Sequence, residues 1–499
     1  MGLTARIKGT ALYQEMIPQL LAVFFFMSFG ALNFGYNNGW WSCVLAIPEF
    51  AEYYGPPGST TFPSSWLSAG TGTANAGMLI GCFIAGPLSH RVGRKWAIVV
   101  LVSIALVGMI IQNAIQNYWA VMSGRMINGI SMGIEANVIP VFMAELAPGA
   151  IRGTLVNFYQ FWQMTGVLLS TATWSFRVVM IVQIFIPVVL LAIVWFLPES
   201  PRWLLTKRRR EDAFKSLDFI REGSGATRED LNTELDFLMA SIEDQETNHH
   251  ATTYADCFRG SNGRRTLIAV GVQVLQQLQG NSFASTYGVL YMKQIGITDT
   301  LQAQVARVCC ALFGAIVAFW AADGVGRRPI MMISAGLMWG SMWVSAGLSR
   351  WWPGALTGAV SNGSLAVLLL WSICNTGGWG SCVWITTSEV ATTQLREKTV
   401  SIATMFSFTM VLLVSFINPF VQYLPGNLGS GVGFVYGSFS LIAIAFVYFV
   451  LPELRGRGLE ELDELFQSRV PARKFRHYTT HTAGAKTADF RKAESTVEI

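Results

Sequence analysis

Charge is what this sequence has least of. Only 13% of its 499 residues are Asp, Glu, Lys or Arg, against roughly a quarter in a soluble protein, while 52% are hydrophobic and mean hydropathy is positive. A chain with so little charge is made mostly for lipid, which excludes a string of soluble domains. Histidine is scarce as well, with 5 residues, and cysteine is odd-numbered at 7. Six cysteines fall in apolar runs (Cys43, Cys82, Cys309, Cys310, Cys374, Cys382) and Cys257 in a polar stretch. Their spacing matches no metal site or disulfide framework, and they read as small apolar packers. A hydrolase elbow, a phosphate-binding loop and a metal-ligand cluster are all lacking, so no catalysis, cofactor or metal is expected. The first 15 residues lack the plan of a cleaved signal, and the first apolar run is expected to act as its own targeting signal.

What is present is a series of apolar runs, each near the roughly 20 residues that cross a bilayer core. They predict helices near Pro18–Ile47, Trp66–Leu88, Trp96–Ile115, Trp119–Ala144, Thr154–Trp174 and Val178–Leu197. A second set is predicted near Thr266–Met292, Gln302–Ala321, Ile330–Leu348, Leu365–Ser388, Thr399–Val421 and Val432–Leu451. Twelve spans place both termini on one side. Arg6, Lys8, Arg91, Arg94, Lys95, Arg152, the run Lys207 to Arg210, Arg327, Arg328, Arg396, Lys398 and the basic tail all face one way, while Arg177, Lys293 and Arg350 face the other. The positive-inside rule makes the first side cytoplasmic. The net charge of +5 then sits beside anionic inner-leaflet lipid, and nucleic acid is not an expected partner.

The second half repeats the first. His90 to Lys95, Glu145 with Arg152, and Leu197-Pro198-Glu199 recur in order as Asp323 to Arg328, Glu389 with Arg396, and Leu451-Pro452-Glu453. A repeat of that length among apolar runs marks an all-α membrane protein of two six-helix bundles around a midplane site. The expected organisation is a cytoplasmic N-terminus (1–17), an N-terminal bundle (18–198), a cytoplasmic helical linker (199–265), a C-terminal bundle (266–452), and a cytoplasmic amphipathic helix with a disordered tail (453–499). In the linker, Glu211–Glu222 and Arg228–Glu243 carry apolar residues at helical spacing. Glu453–Phe466 does the same. The stretch Pro48–Ser65 is the long outer loop, where Pro56-Pro57-Gly58 excludes helix. Asn362-Gly363-Ser364 fits a glycosylation acceptor on the outer face.

Two groups of polar residues stand out. Arg94, Glu145 and Arg152, with Arg327, Glu389 and Arg396, gather at the cytoplasmic helix ends, where ion pairs could latch the halves or simply anchor the helices. The other group is deep. By the helical rise, Gln160 sits roughly 12 Å inward from Arg152, Gln276 and Gln277 roughly 15 Å from Arg265, and Trp384 roughly 8 Å from Glu389. Amides near the midplane suit a wet cavity. Each offers a donor and an acceptor, as a hydroxyl does, and an indole face packs on the C–H side of a sugar ring. The competing reading is that these amides only bond helix to helix.

At these residues the chain resembles the sugar porter family of the major facilitator superfamily. The similarity rests on Gly124-Arg125-Met126, Pro140-Val141-Phe142 with Glu145, Arg152-Gly153, Pro198 to Leu205, Gln276-Gln277 with Gly280, Gly326-Arg327-Arg328 and Pro452 to Arg457, and runs from about Gly35 to Phe466. The linker and tail look fungal in style. The resemblance implies that Gln160, Gln276, Gln277 and Trp384 bind sugar, with Tyr287 and Asn37 in register. Ser282 and Thr376 stand where the family commonly shows Asn and Glu, and Ala311 replaces another Asn. Those losses keep open a larger, less polar or nonsugar ligand.

The expected function is secondary transport of a sugar or related polyhydroxylated small molecule by alternating access in a membrane, the plasma membrane being the expected one. Proton symporters of the family usually carry Asp where Asn37 stands, and an amide does not titrate, which favours uniport. Glu135, ten residues from both Arg125 and Glu145 and so near the bilayer centre, argues for a proton as coupled partner, with Arg125 as a second coupling candidate. A nonsugar metabolite such as an aromatic acid is the alternative cargo, in view of Trp40, Trp41, Trp162 and Trp379. A nontransporting nutrient sensor is the alternative class, although the segment after Phe466 holds no recognisable module. No sequence feature assigns an oligomeric state.

Overall fold

The computed structural model describes residues 18–45, 47–56, 62–146, 152–171, 176–222, 227–249, 254–324, 326–351, 358–392, 395–454, 459–468, 470–472 and 475, and no strand occurs among them. Long helices fall where the apolar runs predict. Among the described residues, nine are long and apolar enough to cross a bilayer, within Ser64–Val92, Arg94–Ala114, Tyr118–Leu146, Phe176–Phe196, Thr300–Gly324, Arg327–Trp351, Gly358–Val390, Arg396–Gln422 and Gly429–Phe449. Three further helical stretches, Pro18–Val44, Arg152–Thr171 and Gly260–Gln276 continued by Ser282–Gln294, fall where the other three apolar runs predict helices. These three carry Asn33, Asn37, Gln160, Gln276 and Gln277.

Two passes are not continuous α-helix. Gln277–Asn281 and Asn375–Gly380 are π-helical turns inside their spans. The first bends at Gly280, whose φ is +104°; only glycine takes that backbone without strain. The second is built from Asn-Thr-Gly-Gly-Trp-Gly, too glycine-rich to hold a tight ladder. Such turns concentrate at functional positions.

Three stretches depart from expectation. Pro48–Tyr54 is a short helix within the expected outer loop, started by Pro48, whose fixed φ suits a first turn, and stopped at Gly55 before the prolines. Asn362 lies not in a loop but on the exposed face of Gly358–Cys374, because that helix begins seven residues before Leu365. The final amphipathic helix is Leu459–Gln467 rather than Glu453–Phe466, since the Glu453 carboxylate is taken up by backbone N–H groups of another helix.

The linker helices are Pro201–Thr206, Arg210–Arg221 and Arg228–His249. Ser200 caps the first through the Trp203 N–H, as N-cap serines do. Their apolar stripes bury Trp203, Leu204, Leu205, Ala213, Leu217, Leu231, Leu235 and Ile242 together. Arg210–Asp236 at 2.6 Å and Arg221–Glu234 at 2.8 Å tie the longer two.

The chain forms two compact units. The first comprises Met1–Thr247, Phe283–Leu312 and Val411–Gly429; the second comprises Asn248–Ser282, Phe313–Met410 and Ser430–Ile499. In the first, Ser64–Val92 and Tyr118–Leu146 pack backbone to backbone. A Cβ on Gly77, Gly81, Gly129 or Gly133 would lie 2.1–2.2 Å from a carbonyl oxygen of the facing helix. Two Gly-x-x-x-Gly stripes thus meet, the small-residue packing that substitutes for a hydrophobic drive in lipid.

Candidate functional site

The helix ends repeat one arrangement twice. Gly93 (φ +98°) and Gly326 (φ +107°) each turn the chain into the next helix. In the first unit, the Arg94 guanidinium binds Glu145 through two bonds of 2.7 and 3.0 Å, with the side chains 16% and 8% exposed. Glu199 accepts from the backbone N–H groups of Arg94, Lys95 and Ser200. In the second unit, Arg327 binds Glu389 at 3.1 Å, and Glu453 accepts from the N–H groups of Arg327, Arg328 and Leu454. A carboxylate at a helix N-terminus meets both the free N–H groups and the positive end of the dipole. Burial pushes the Glu199 carboxyl above its ordinary range, partly offset by the N–H groups of Ser200, Lys95 and Arg94. A Cβ at Gly93 would sit 2.4 Å from Glu199 Oε2, and one at Gly326 2.9 Å from Glu453 Oε2.

The expected partners at these ends were Arg152 and Arg396. The Arg152 side chain lies outside the described residues, and Glu145 is held by Arg94. Arg396 donates from Nε to the Ser388 carbonyl at 2.9 Å. Both ion pairs therefore join helices of the same half. The roles of Glu199 and Glu453 went unread, although the recurrence of Leu-Pro-Glu was the signal for them.

Deep in the first unit lies a chain of polar side chains. Asn33 Nδ2 donates to Glu135 Oε2 at 2.9 Å, and Asn37 Nδ2 donates to Asn33 Oδ1 at 3.0 Å. Asn37 Oδ1 accepts from Asn128 Nδ2 at 2.7 Å and from Gln183 Nε2. Asn33, Asn37, Asn128, Glu135 and Gln183 are all buried. Glu135 Oε1 is buried without a hydrogen-bond partner among the described residues. The guanidinium of Arg125, the other coupling candidate, lies 3.9 Å from the Trp41 ring and 5.0 Å from the Trp40 ring, and its Nε donates to the Gly70 carbonyl at 3.2 Å. Asn33, Asn128 and Gln183 were missed because only their joint contact with Asn37 distinguishes them from other membrane amides.

The end of this unit remote from Gly93 is closed. Thr71 Oγ1 and Tyr287 OH are 2.7 Å apart, and Tyr287 OH donates to the Ser415 carbonyl at 2.6 Å. Asn75 Nδ2 donates to Ser415 Oγ at 2.9 Å, and Ser68 Oγ to the Phe416 carbonyl at 2.8 Å. Tyr287, read as a substrate contact, spends its hydroxyl here.

The second unit sorts the remaining candidates. Gln277 is fully engaged: its Nε2 donates to Ser407 Oγ at 3.1 Å, and its Oε1 accepts from Asn281 at 3.2 Å and from Ser282 at 2.7 Å. Gln276 is 6% exposed and makes no side-chain hydrogen bond among the described residues, yet its amide is not sealed from solvent. Gln160, on its own helix in the first unit, is half-buried and equally uncommitted. Trp384 is 38% exposed, whereas Trp379 is fully buried and donates to the Met331 carbonyl at 2.9 Å. One position before Ser282 and Thr376, where the family commonly shows Asn and Glu, this chain carries the amides Asn281 and Asn375. Asn375 Nδ2 donates to Asn281 Oδ1 at 2.9 Å, joining the two π-helical turns.

A family model described as "Sugar (and other) transporter" matches residues 23–466. The major facilitator-type transporter ecdD of Aspergillus rugulosus is 28% identical over 477 residues, covering 90% of this chain and 87% of its own length. The galactose transporter of Saccharomyces cerevisiae is 28% identical over 474 residues, covering 89% of this chain and 80% of its own length. The inward-open conformation of the xylose transporter XylE from E. coli superposes with a TM-score of 0.72 at 22% identity, over 89% of this chain and 99% of XylE. At that identity the likeness establishes the fold, that of the major facilitators.

Proposed function

We propose, since the chain belongs to the sugar (and other) transporter family of multi-pass membrane proteins, that it is a secondary carrier moving a sugar or related polyhydroxylated small molecule by alternating access. The observation that carries this reading is the uncommitted amide of Gln276, with that of Gln160: a donor and an acceptor left open in a membrane span suit hydroxyls of a passing ligand. Gln277, Ser282, Asn281 and Asn375 hold the π-helical turns in shape, and Trp384 supplies an open indole face. Tyr287 with Thr71 acts as the outer gate, and the Arg94, Glu145, Arg152, Arg327, Glu389 and Arg396 set as the cytoplasmic latch. The two bundles are residues 18–198 and 266–452, joined by the helical linker, with both termini cytoplasmic in the plasma membrane. The galactose transport named for the yeast relative supports a hexose-sized cargo.

Uptake into proteoliposomes from a panel of labelled sugars, polyols and aromatic acids tests this. Saturable uptake of at least one polyhydroxylated compound is expected; binding without any uptake would turn the reading to a sensor. Orientation is checked by cysteine labelling in a cysteine-free background: Asn362→Cys should react from outside and Asp230→Cys only after the membrane is opened. Reversed access overturns the topology. Uniport is the favoured mode, because Asn37 is an amide. Proton symport is the second reading, favoured by the contact of buried Glu135 with Asn33, one step from Asn37.

A further inference from the structure

Two arginines of the first unit stand apart from all the others placed in the site. Arg125 lies seven residues into Tyr118–Leu146 and Arg307 seven residues into Thr300–Gly324, each about 10 Å below the start of its span by the helical rise. Arg125 stacks on Trp40 and Trp41 of the first helix. The two arginines flank the closed end from both sides. Arg125 donates to the carbonyl of Gly70, the residue before Thr71, while Arg307 faces Gly288, the residue after Tyr287, where a Cβ would lie 3.9 Å from Nε.

Neither has a carboxylate within ion-pair distance among the described residues. Arg307 donates only to Gln304 Oε1, at 2.8 Å, and Arg125 only to a carbonyl. Arg94 and Arg327, at the membrane edge where water would solvate them cheaply, are nonetheless paired with glutamates. A guanidinium held inside a bilayer without a counter-charge is costly. Stacking on indoles offsets part of the cost for Arg125, but not for Arg307. A guanidinium presents several N–H donors in a plane that matches a carboxylate, and those of Arg307 are not used up by the protein.

We propose that the substrate of this carrier bears a carboxylate, held beneath the closed end by Arg307. This rests on the carrier reading above and narrows it from neutral sugars to an organic acid. The Thr71–Tyr287 contact then closes over an arginine–carboxylate ion pair rather than over a bare cation.

The test compares D-gluconate with D-gluconamide, which has the same hydroxyls and no charge, in proteoliposomes of the full chain. Wild type should take gluconate with at least about tenfold better apparent affinity, the advantage of a charge-assisted hydrogen bond. Arg307→Gln should bring the ratio near unity, and Arg307→Lys should keep part of it. Size-exclusion of each variant establishes that it folds; should Arg307→Gln fail there, wild-type thermal stabilisation by gluconate over gluconamide carries the same comparison. A 4-hydroxybenzoate arm separates sources: uptake of that acid without gluconate supports the carboxylate station around an aromatic body. Equal use of gluconamide or galactose, or an unchanged ratio in Arg307→Gln, overturns the inference and leaves the carrier reading standing. Uptake and binding of none of these compounds overturns both.

Discussion

At Gly93 and again at Gly326 the chain builds a left-handed glycine, an arginine paired with a glutamate on a neighbouring helix, and a second glutamate on backbone N–H groups. Deeper in the spans the likeness ends. The first unit has a carboxyl-to-amide chain running from Glu135 through Asn33 and Asn37 to Asn128 and Gln183, while the second has two π-helical turns joined by Asn281 and Asn375. What repeats sets how helices enter and pair, a task common to both halves. What differs lies in the middles of the spans, where the proposed site is, so selectivity is to be sought there and the conformational machinery at the ends.

Breaking the repeated ends should give the largest effects, and the two should not be equal. The Arg94–Glu145 pair is bidentate and the more buried; the Arg327–Glu389 contact is longer. Arg94→Ala should cost about 3–5 kcal/mol, the loss expected when a buried ion pair is broken from one side, and Arg327→Ala less. Thermal unfolding in detergent together with exchange rate measures this. Equal losses would mean that burial does not separate the two ends.

In the second middle, Gln277→Ala should strand Ser407, Asn281 and Ser282 and lower stability by about 1–3 kcal/mol, seen as a fall in melting temperature without ligand. Gln276→Ala and Gln160→Ala should leave melting unchanged and weaken substrate affinity by about 0.5–1.5 kcal/mol, a single neutral hydrogen bond. If Gln277→Ala were the silent one and Gln276→Ala the destabilising one, the division between structural and ligand amides drawn from their hydrogen bonds would be wrong.

The ends and the spans were legible from sequence for different reasons. Long apolar runs predict helices because nothing else crosses lipid with its backbone satisfied, and Gly93-Arg94 recurs openly as Gly326-Arg327. The Arg94–Glu145 pair was not legible, since Glu145 has another arginine, Arg152, nearer in sequence than the one it binds. Nor were the π-helical turns: a Gly280 at φ +104° is a property of the packed backbone, and hydropathy reads straight through it. The Asn281–Asn375 bond spans 94 residues and shows only when both turns are in place. Gln276 and Gln277 are neighbours of one type, and only the fold tells the engaged amide from the open one.

The smallest effect expected concerns the first middle, and it decides how that chain of side chains is used. Asn37 takes two donated hydrogen bonds and passes one to Asn33, which in turn donates to Glu135. If this is a fixed brace, as uniport requires, Glu135→Gln keeps the shape and an acceptor oxygen for Asn33. Exchange should then stay near the wild-type rate, a protonophore should leave initial uptake unchanged, and accumulation should stop at equal concentrations on both sides. If the chain relays a proton, uptake should run uphill under an imposed proton gradient and Glu135→Gln should abolish that accumulation while sparing exchange. Asn37→Asp sharpens the contrast, since it places a second titrating group at the junction. Under uniport it should introduce a pH dependence absent from wild type; a wild type already pH-dependent, with Glu135→Gln flat, would assign the coupling to Glu135.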